Sequence, residues 1–250
     1  MDISDIIYNY KEFDGAYLNE IGERNMGTVV NNVKPVLWTV PPDQETIYVE
    51  EISDLENKPV YETVKRIFDI LISLIALVVL MIPMAVIALL IVLESPGNPI
   101  YSQIRLGKDE KPFKIYKFRS MHRDAEADGM RWAISDDERA TRVGMILRKS
   151  RLDELPQLWN ILRGEMSLVG PRPERPEFYE IFDTYIVGFR QRMKVKPGLT
   201  GLAQVNGGYD LLPEEKIRYD VEYIKKRSVL LDLQCVARTL RLFITHDGAR

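Results

Sequence analysis

The chain has 250 residues, 46% of them apolar, enough for one core of roughly 100–180 residues together with a membrane element. Its net charge of −3 hides an asymmetry, because residues 1–64 hold four Lys/Arg against thirteen Asp/Glu while the remainder holds thirty against twenty-four. One cysteine (Cys235), two histidines (His122, His246) and the absence of GxxxxGK[ST] or GxGxxG exclude an internal disulfide, multi-histidine metal sites and the common nucleotide loops, so any metal must take oxygen ligands, as Mg²⁺ or Mn²⁺ does.

Residues 1–61 read as an acidic N-terminal extension with Pro35, Pro41 and Pro42 and no sustained period. VLWTV (Val36–Val40) and TIYVEEI (Thr46–Ile52) are its candidate short strands. From Ile70 to Leu93 there follow 24 residues without a charge and with a single hydroxyl, Ser73, longer than the roughly 20 needed to cross a bilayer. The run begins too far along the chain for a signal peptide.

Pro83 interrupts the run. A proline removes one helical hydrogen bond and clashes with the preceding turn, which would leave arms of roughly 20 and 15 Å, neither long enough to span a core about 30 Å thick. Two forms stay open, a kinked spanning helix and a re-entrant hairpin that enters and leaves by one face. Lys65 and Arg66 precede the run, and Arg105, Lys108, Lys111, Lys114, Lys117 and Arg119 follow it. Basic flanks favour the cytoplasmic side, and basic flanks at both ends favour the hairpin. Residues 62–94 are therefore read as a membrane-inserted re-entrant hairpin and 95–250 as an interfacial domain on the cytoplasmic face of the cytoplasmic membrane.

Ser95-Pro96-Gly97-Asn98-Pro99 is a concentrated turn signal. PIYSQIRLG and PFKIYKFRSM alternate apolar and polar residues around Gly107–Glu110, the pattern of a β-hairpin. Alternation sets Lys117 and Arg119 on one face, aimed at a shared anion or simply at solvent and lipid headgroups. Residues 122–140 are charged and aperiodic, a loop or surface helix. Ile146–Leu162 carries Leu147, Leu155, Leu158, Trp159 and Leu162 at helical spacing, with a bend or restart expected at Pro156, just after Asp153-Glu154.

Within RKSRLDELPQLWNILRGEMSLVGPRP (148–173), the acidic pair Asp153-Glu154 lies among five arginines and lysines. Fixed cations keep a carboxylate ionised and can hold a phosphate against it, although an acidic pair on a basic helix is more often a solvated face. Arg172, between prolines in GPRP, has the forked guanidinium that binds phosphate bidentately. LAQV (202–205) reads as a short strand, and Glu214–Lys226 and Leu230–Ile244 as two closing helices. The class is α+β, predominantly helical, with amphipathic interface helices. Nucleic acid is disfavoured as a partner, since neither zinc-finger spacing nor an RNP motif is present.

KIYKFRSM, RLDELPQLWNIL, MSLVGPRPE, VKPGLTGLAQVNG and a final LLDL, in that order over residues 62–247, resemble the bacterial sugar transferases that are monotopic phosphoglycosyl transferases, which initiate capsule, exopolysaccharide and glycoconjugate assembly. The resemblance implies transfer of a sugar 1-phosphate from a UDP-sugar to polyprenyl (undecaprenyl) phosphate, with release of UMP, through an aspartyl-phosphosugar. Asp153 matches the nucleophile and Glu154 the partner that places Mg²⁺. Both are the expected metal ligands, while Arg148, Arg172, Lys117 and Arg119 are the expected substrate contacts. Asp220 and Asp232 match acidic positions of the closing helices that serve capping or ion pairing. Two departures stand out: Ile82 occupies the place of a serine before Pro83, and Gly208 follows Asn206-Gly207 where the family often has arginine. The resemblance leaves the acidic extension unexplained and a homodimer open. A noncatalytic membrane scaffold, recruiting partners by its basic face, is the rival reading.

Overall fold

A computed structural model of the chain describes residues 45–127, 137–208 and 211–245. The strand expected at Val36–Val40, most of the acidic extension and the middle of 122–140 lie outside the described residues. In chain order the elements are β1 (Ile47–Tyr48), α1 (Pro59–Val79), α2 (Met81–Glu94), β2 (Ile100–Leu106), β3 (Pro112–Phe118), α3 (Arg142–Lys149), α4 (Gln157–Arg163), β4 (Ser167–Val169), α5 (Pro176–Asp183), β5 (Ile186–Val187), β6 (Gly198–Thr200), α6 (Leu202–Val205), α7 (Pro213–Lys226) and α8 (Val229–Thr245). Helices dominate and the strands form three two-stranded pairs, β1-β5, β2-β3 and β4-β6, which is the α+β class read from the sequence.

The apolar run forms two helices, α1 and α2, bent by 62°. Neither is long and apolar enough to cross a membrane alone, though the bent pair passes by length and composition. The hinge is Leu80, three residues before Pro83 rather than at it. Pro83 has no N–H for the Val79 carbonyl and its ring crowds that group, so the helix stops at Val79 and the proline falls in the first turn of α2, where a missing donor costs nothing. Leu80 N–H closes the first helix on Ala76 O at 2.8 Å, and Met84 N–H opens the second on Leu80 O at 2.8 Å. A core helix would bury such a run, but Ile82 is 71% and Leu93 72% exposed.

β2 and β3 pair antiparallel from Ile100↔Phe118 to Leu106↔Pro112, as the alternation predicted. Phe113, Ile115 and Phe118 are buried, the first two packing with Leu158, Ile161 and Met166. The helical stretch over Ile146–Leu162 restarts after Pro156, as expected, and is also broken earlier. α3 ends at Lys149, Arg151 takes a left-handed conformation (φ 55°), Leu152–Glu154 form a 3₁₀ turn, and α4 restarts after Pro156. The leucine stripe is real, but it belongs to two elements that meet at the acidic pair.

β4 and β6 run parallel, Ser167↔Gly198 and Val169↔Thr200. They approach so closely that a Cβ on Gly198 would lie 2.1 Å from Gly170 N. The strand expected at LAQV is a helical turn, α6; the extended segment lies just before it at Gly198–Thr200. Four residues are too few for a period to separate strand from helix. The main core gathers Phe178, Tyr179 and Phe182 of α5, Phe189, and Ile217, Val221 and Ile224 of α7. Ile52, from the tail of the acidic extension, is buried in it, and β1 pairs with β5 (Ile47↔Ile186, Tyr48↔Val187).

Candidate active site

The 3₁₀ turn places Asp153 and Glu154 at the junction of α3 and α4, both buried, at 8% and 9% exposure. With three residues per turn, adjacent side chains diverge by about 120°, so the two carboxylates meet different surroundings. Glu154 faces β3 and the loop after β4. Arg172 donates through Nη1 to Oε2 at 3.2 Å and through Nη2 to Oε1, and Lys117 Nζ donates to Oε1 at 3.3 Å. Burial alone would raise the Glu154 pKa; Arg172 and Lys117 outweigh it and hold the carboxyl well below the usual range.

Asp153 behaves oppositely. Burial pushes its carboxyl up to about 6, reinforced by the neighbouring Glu154 charge and opposed by Lys117, Arg172 and Arg148. A buried carboxylate with cations near it, but not forked onto it, keeps lone pairs for an incoming electrophile. Glu154, by contrast, spends both oxygens on cations. The turn thus separates a carboxylate raised by burial from one held down by two cations.

The structure brings four of the sequence candidates together: Asp153, Glu154, Lys117 and Arg172. Arg148 lies within 3.9 Å of Asp137 and acts on Asp153 through space. Arg119 follows β3 at the open end of the hairpin and turns to the chain that enters β2, donating to Pro96 O at 3.4 Å and to Ser95 O. It caps the exit of α2 rather than sharing an anion with Lys117.

Residues beyond the substrate and metal candidates support the site, and the roles of Arg192 and Asn160 escaped the sequence reading. Arg192 and Asp220, each 1% exposed in the side chain, form an ion pair at 2.7 Å. Arg192 lies 4.9 Å from the Phe189 ring centroid and donates to Arg172 O at 2.9 Å. Arg105 donates to Pro173 O at 3.2 Å and Glu174 at 3.3 Å, so the GPRP loop is held by two guanidiniums. The buried Asn160 accepts from Tyr116 N at 3.1 Å and donates to Lys114 O at 2.6 Å, locking α4 to the strand that carries Lys117. Asp232 accepts from Lys65 at 2.7 Å and Tyr223 at 2.8 Å. Asp220 and Asp232 are therefore in ion pairs, as expected. Gln204 and Asn206 donate to Leu199 O and Leu202 O, turn carbonyls.

Among the described residues, no group of three His, Cys, Asp or Glu side chains could hold a metal by itself. Asp153 and Glu154 supply oxygen donors of the type Mg²⁺ takes, but Glu154 already accepts from Arg172 and Lys117, so an ion there would depend on substrate phosphates and water for most of its ligands.

The sequence model of the bacterial sugar transferase family matches residues 60–246. The chain is 43% identical over 207 residues to a UDP-N-acetylgalactosamine-undecaprenyl-phosphate N-acetylgalactosaminephosphotransferase of Aeromonas hydrophila, covering 82% of this chain and 49% of that protein. It is 40% identical over 264 residues to a UDP-glucose:undecaprenyl-phosphate glucose-1-phosphate transferase of Klebsiella pneumoniae, covering 95% of this chain and 56% of that one. A protein of Caulobacter vibrioides with the latter name is 41% identical over 190 residues, 74% of this chain and 71% of its own length. The chain thus spans about half the length of the first two.

Proposed function

The chain belongs to the bacterial sugar transferase family, and from that membership we propose that it transfers a sugar 1-phosphate from a UDP-sugar to undecaprenyl phosphate, releasing UMP, at the cytoplasmic face of the membrane. One observation carries the reading: a buried carboxylate, Asp153, stands beside a second carboxylate, Glu154, that fixes Arg172 and Lys117 around it. Phosphoryl transfer asks for that combination of a positioned nucleophile and preorganised positive charge.

In the first step an Asp153 carboxylate oxygen forms a bond to the sugar-bearing phosphorus, and the P–O bond to the UMP phosphate breaks. UMP leaves with the electron pair of that bond. In the second step an oxygen of undecaprenyl phosphate attacks the same phosphorus and the aspartyl P–O bond breaks, restoring the carboxylate. Neither step needs a proton from the protein. Arg172 and Lys117 neutralise phosphate oxygens, and Arg192 keeps the Arg172 backbone in place. Bound at Asp153 and Glu154, Mg²⁺ would add charge neutralisation at the diphosphate.

The bent α1-α2 pair suits re-entrant insertion for a physical reason. The chain before α1 pairs with β5 through β1, and Arg227 donates to Glu56 O, so the polypeptide entering the pair and that leaving it belong to one body. The exposed apolar side chains Met145, Ile146, Leu152 and Trp159 of α3, the acidic turn and α4 suit contact with the interface, where the lipid phosphate resides while the UDP-sugar arrives from water.

The test is UMP release from UDP-N-acetylgalactosamine, UDP-glucose and related donors with undecaprenyl phosphate and Mg²⁺. Turnover with parallel double-reciprocal plots, lost in chelator, is expected. No release from any donor would overturn the activity, and full activity in chelator would overturn the metal requirement.

A further inference from the structure

Of the charged side chains near the start of α1, Arg66 and Asp69 stand three residues apart on one face of the helix. Asp69 is 3% exposed, and its Oδ1 accepts two bonds, from Ser167 Oγ at 3.0 Å and Leu168 N at 2.9 Å. β4 has a single partner strand, β6, and alternation turns the Leu168 N–H toward its open edge. Asp69 satisfies that donor in place of a third strand. The strand's end is approached as well: Tyr223 Oη lies 3.2 Å from Val169 O and 2.8 Å from Asp232, with its one proton available to either acceptor.

Arg66 grips the other side of the site. It donates to Ile161 O at 2.6 Å and Leu162 O at 2.7 Å, the last turn of α4, which begins just after Glu154. β4 leads through Gly170 and Pro171 into Arg172, the residue forked onto Glu154. One turn of α1 therefore touches both arms of the Arg172–Glu154 pair and sets the spacing between them.

We infer that Asp69 is a positioning residue for the transfer reaction: by fixing β4 it delivers Arg172 to Glu154 and to the phosphate beside Asp153. The inference rests on the proposed activity. It makes the polar base of the apolar helix part of the catalytic alignment, not only a membrane anchor.

The experiment compares wild type, Asp69→Ala, Asp69→Asn, Ser167→Ala, Arg172→Ala and the Asp69→Ala/Arg172→Ala and Ser167→Ala/Arg172→Ala double variants, purified as full chains in nanodiscs. UMP release is followed with undecaprenyl phosphate and whichever of UDP-N-acetylgalactosamine and UDP-glucose the wild type uses. Asp69→Ala should lower kcat about tenfold or more, whereas Asp69→Asn, whose amide oxygen can accept both bonds, should recover to within about threefold of wild type. In the Arg172→Ala background the same change should cost less than about twofold, because residues acting as a unit are non-additive. A wild-type rate for Asp69→Ala, or losses that multiply in the double variant, would overturn the inference. If Asp69→Ala does not fold, Ser167→Ala decides in its place: a loss that vanishes in the Arg172→Ala background supports the inference, and a wild-type rate overturns it. Silence of the wild type itself would overturn the proposed activity instead, so the two failures are distinct.

Discussion

Glu154 and Asp153 differ by one position and hold opposite electrostatic states, because Arg172 and Lys117 bond the first while burial dominates the second. This has a consequence for stability. A carboxyl raised from 3.8 to about 6 in the folded chain binds its proton more tightly there than when unfolded. Its stabilising contribution is full below the unfolded value and is lost as pH rises through about 6. With divalent metal removed, Asp153→Asn should therefore be more stable than wild type at pH 7.5, by up to about 3 kcal/mol at 1.36 kcal/mol per pKa unit. The two should converge near pH 4, as thermal melts across the range would reveal. Equal melting temperatures at pH 7.5 would mean that Asp153 is not penalised by burial.

The β2-β3 hairpin, the closing helices and the broken apolar run were legible in the sequence because each has a sustained period or a strong punctuation signal. The pair Asp153-Glu154 with Lys117 and Arg172 was legible from charge pattern and resemblance. Asn160, Asp69 and Arg192 were not, since their partners lie 44, 98 and 20 residues away in the chain and nothing in the local pattern announces them. The partners of Arg119, the carbonyls of Pro96 and Ser95, lie 23 and 24 residues away in the chain, and alternation along one strand does not announce them. The division of Ile146–Leu162 turned on a left-handed Arg151, a conformation that arginine composition does not signal. β4 and β6 make their own prediction. Gly198→Ala puts a methyl 2.1 Å from the Gly170 backbone, which no side-chain rotation relieves. It should shift the GPRP loop and reduce UMP release at least tenfold, with a loss of stability of about 1–3 kcal/mol by overpacking; wild-type activity would show that the loop tolerates displacement.

At the scale of the whole molecule, the body is tied to both ends of the apolar pair. β1 and the segment to Glu56 pack on the elements that follow the hairpin, and Lys65 bonds Asp232 on the last helix. A re-entrant seat predicts a single sidedness. In a Cys235→Ser background, cysteines introduced one at a time at Glu56 and Glu138 should both react with a membrane-impermeant maleimide in inverted vesicles and neither in intact spheroplasts; opposite sidedness would establish a spanning helix. The proposed function needs a carboxylate nucleophile at the level where a lipid phosphate and a water-borne UDP-sugar would meet, and that nucleophile admits the most direct test. The full chain is incubated with Mg²⁺ and its UDP-sugar, without undecaprenyl phosphate, and its intact mass and peptide map are measured. The account predicts one phosphosugar adduct per chain, located at Asp153, formed with a matching burst of UMP, discharged by undecaprenyl phosphate and absent from Asp153→Asn. UMP formed only when both substrates are present, with no adduct on the protein, or an adduct that persists in Asp153→Asn, would contradict it.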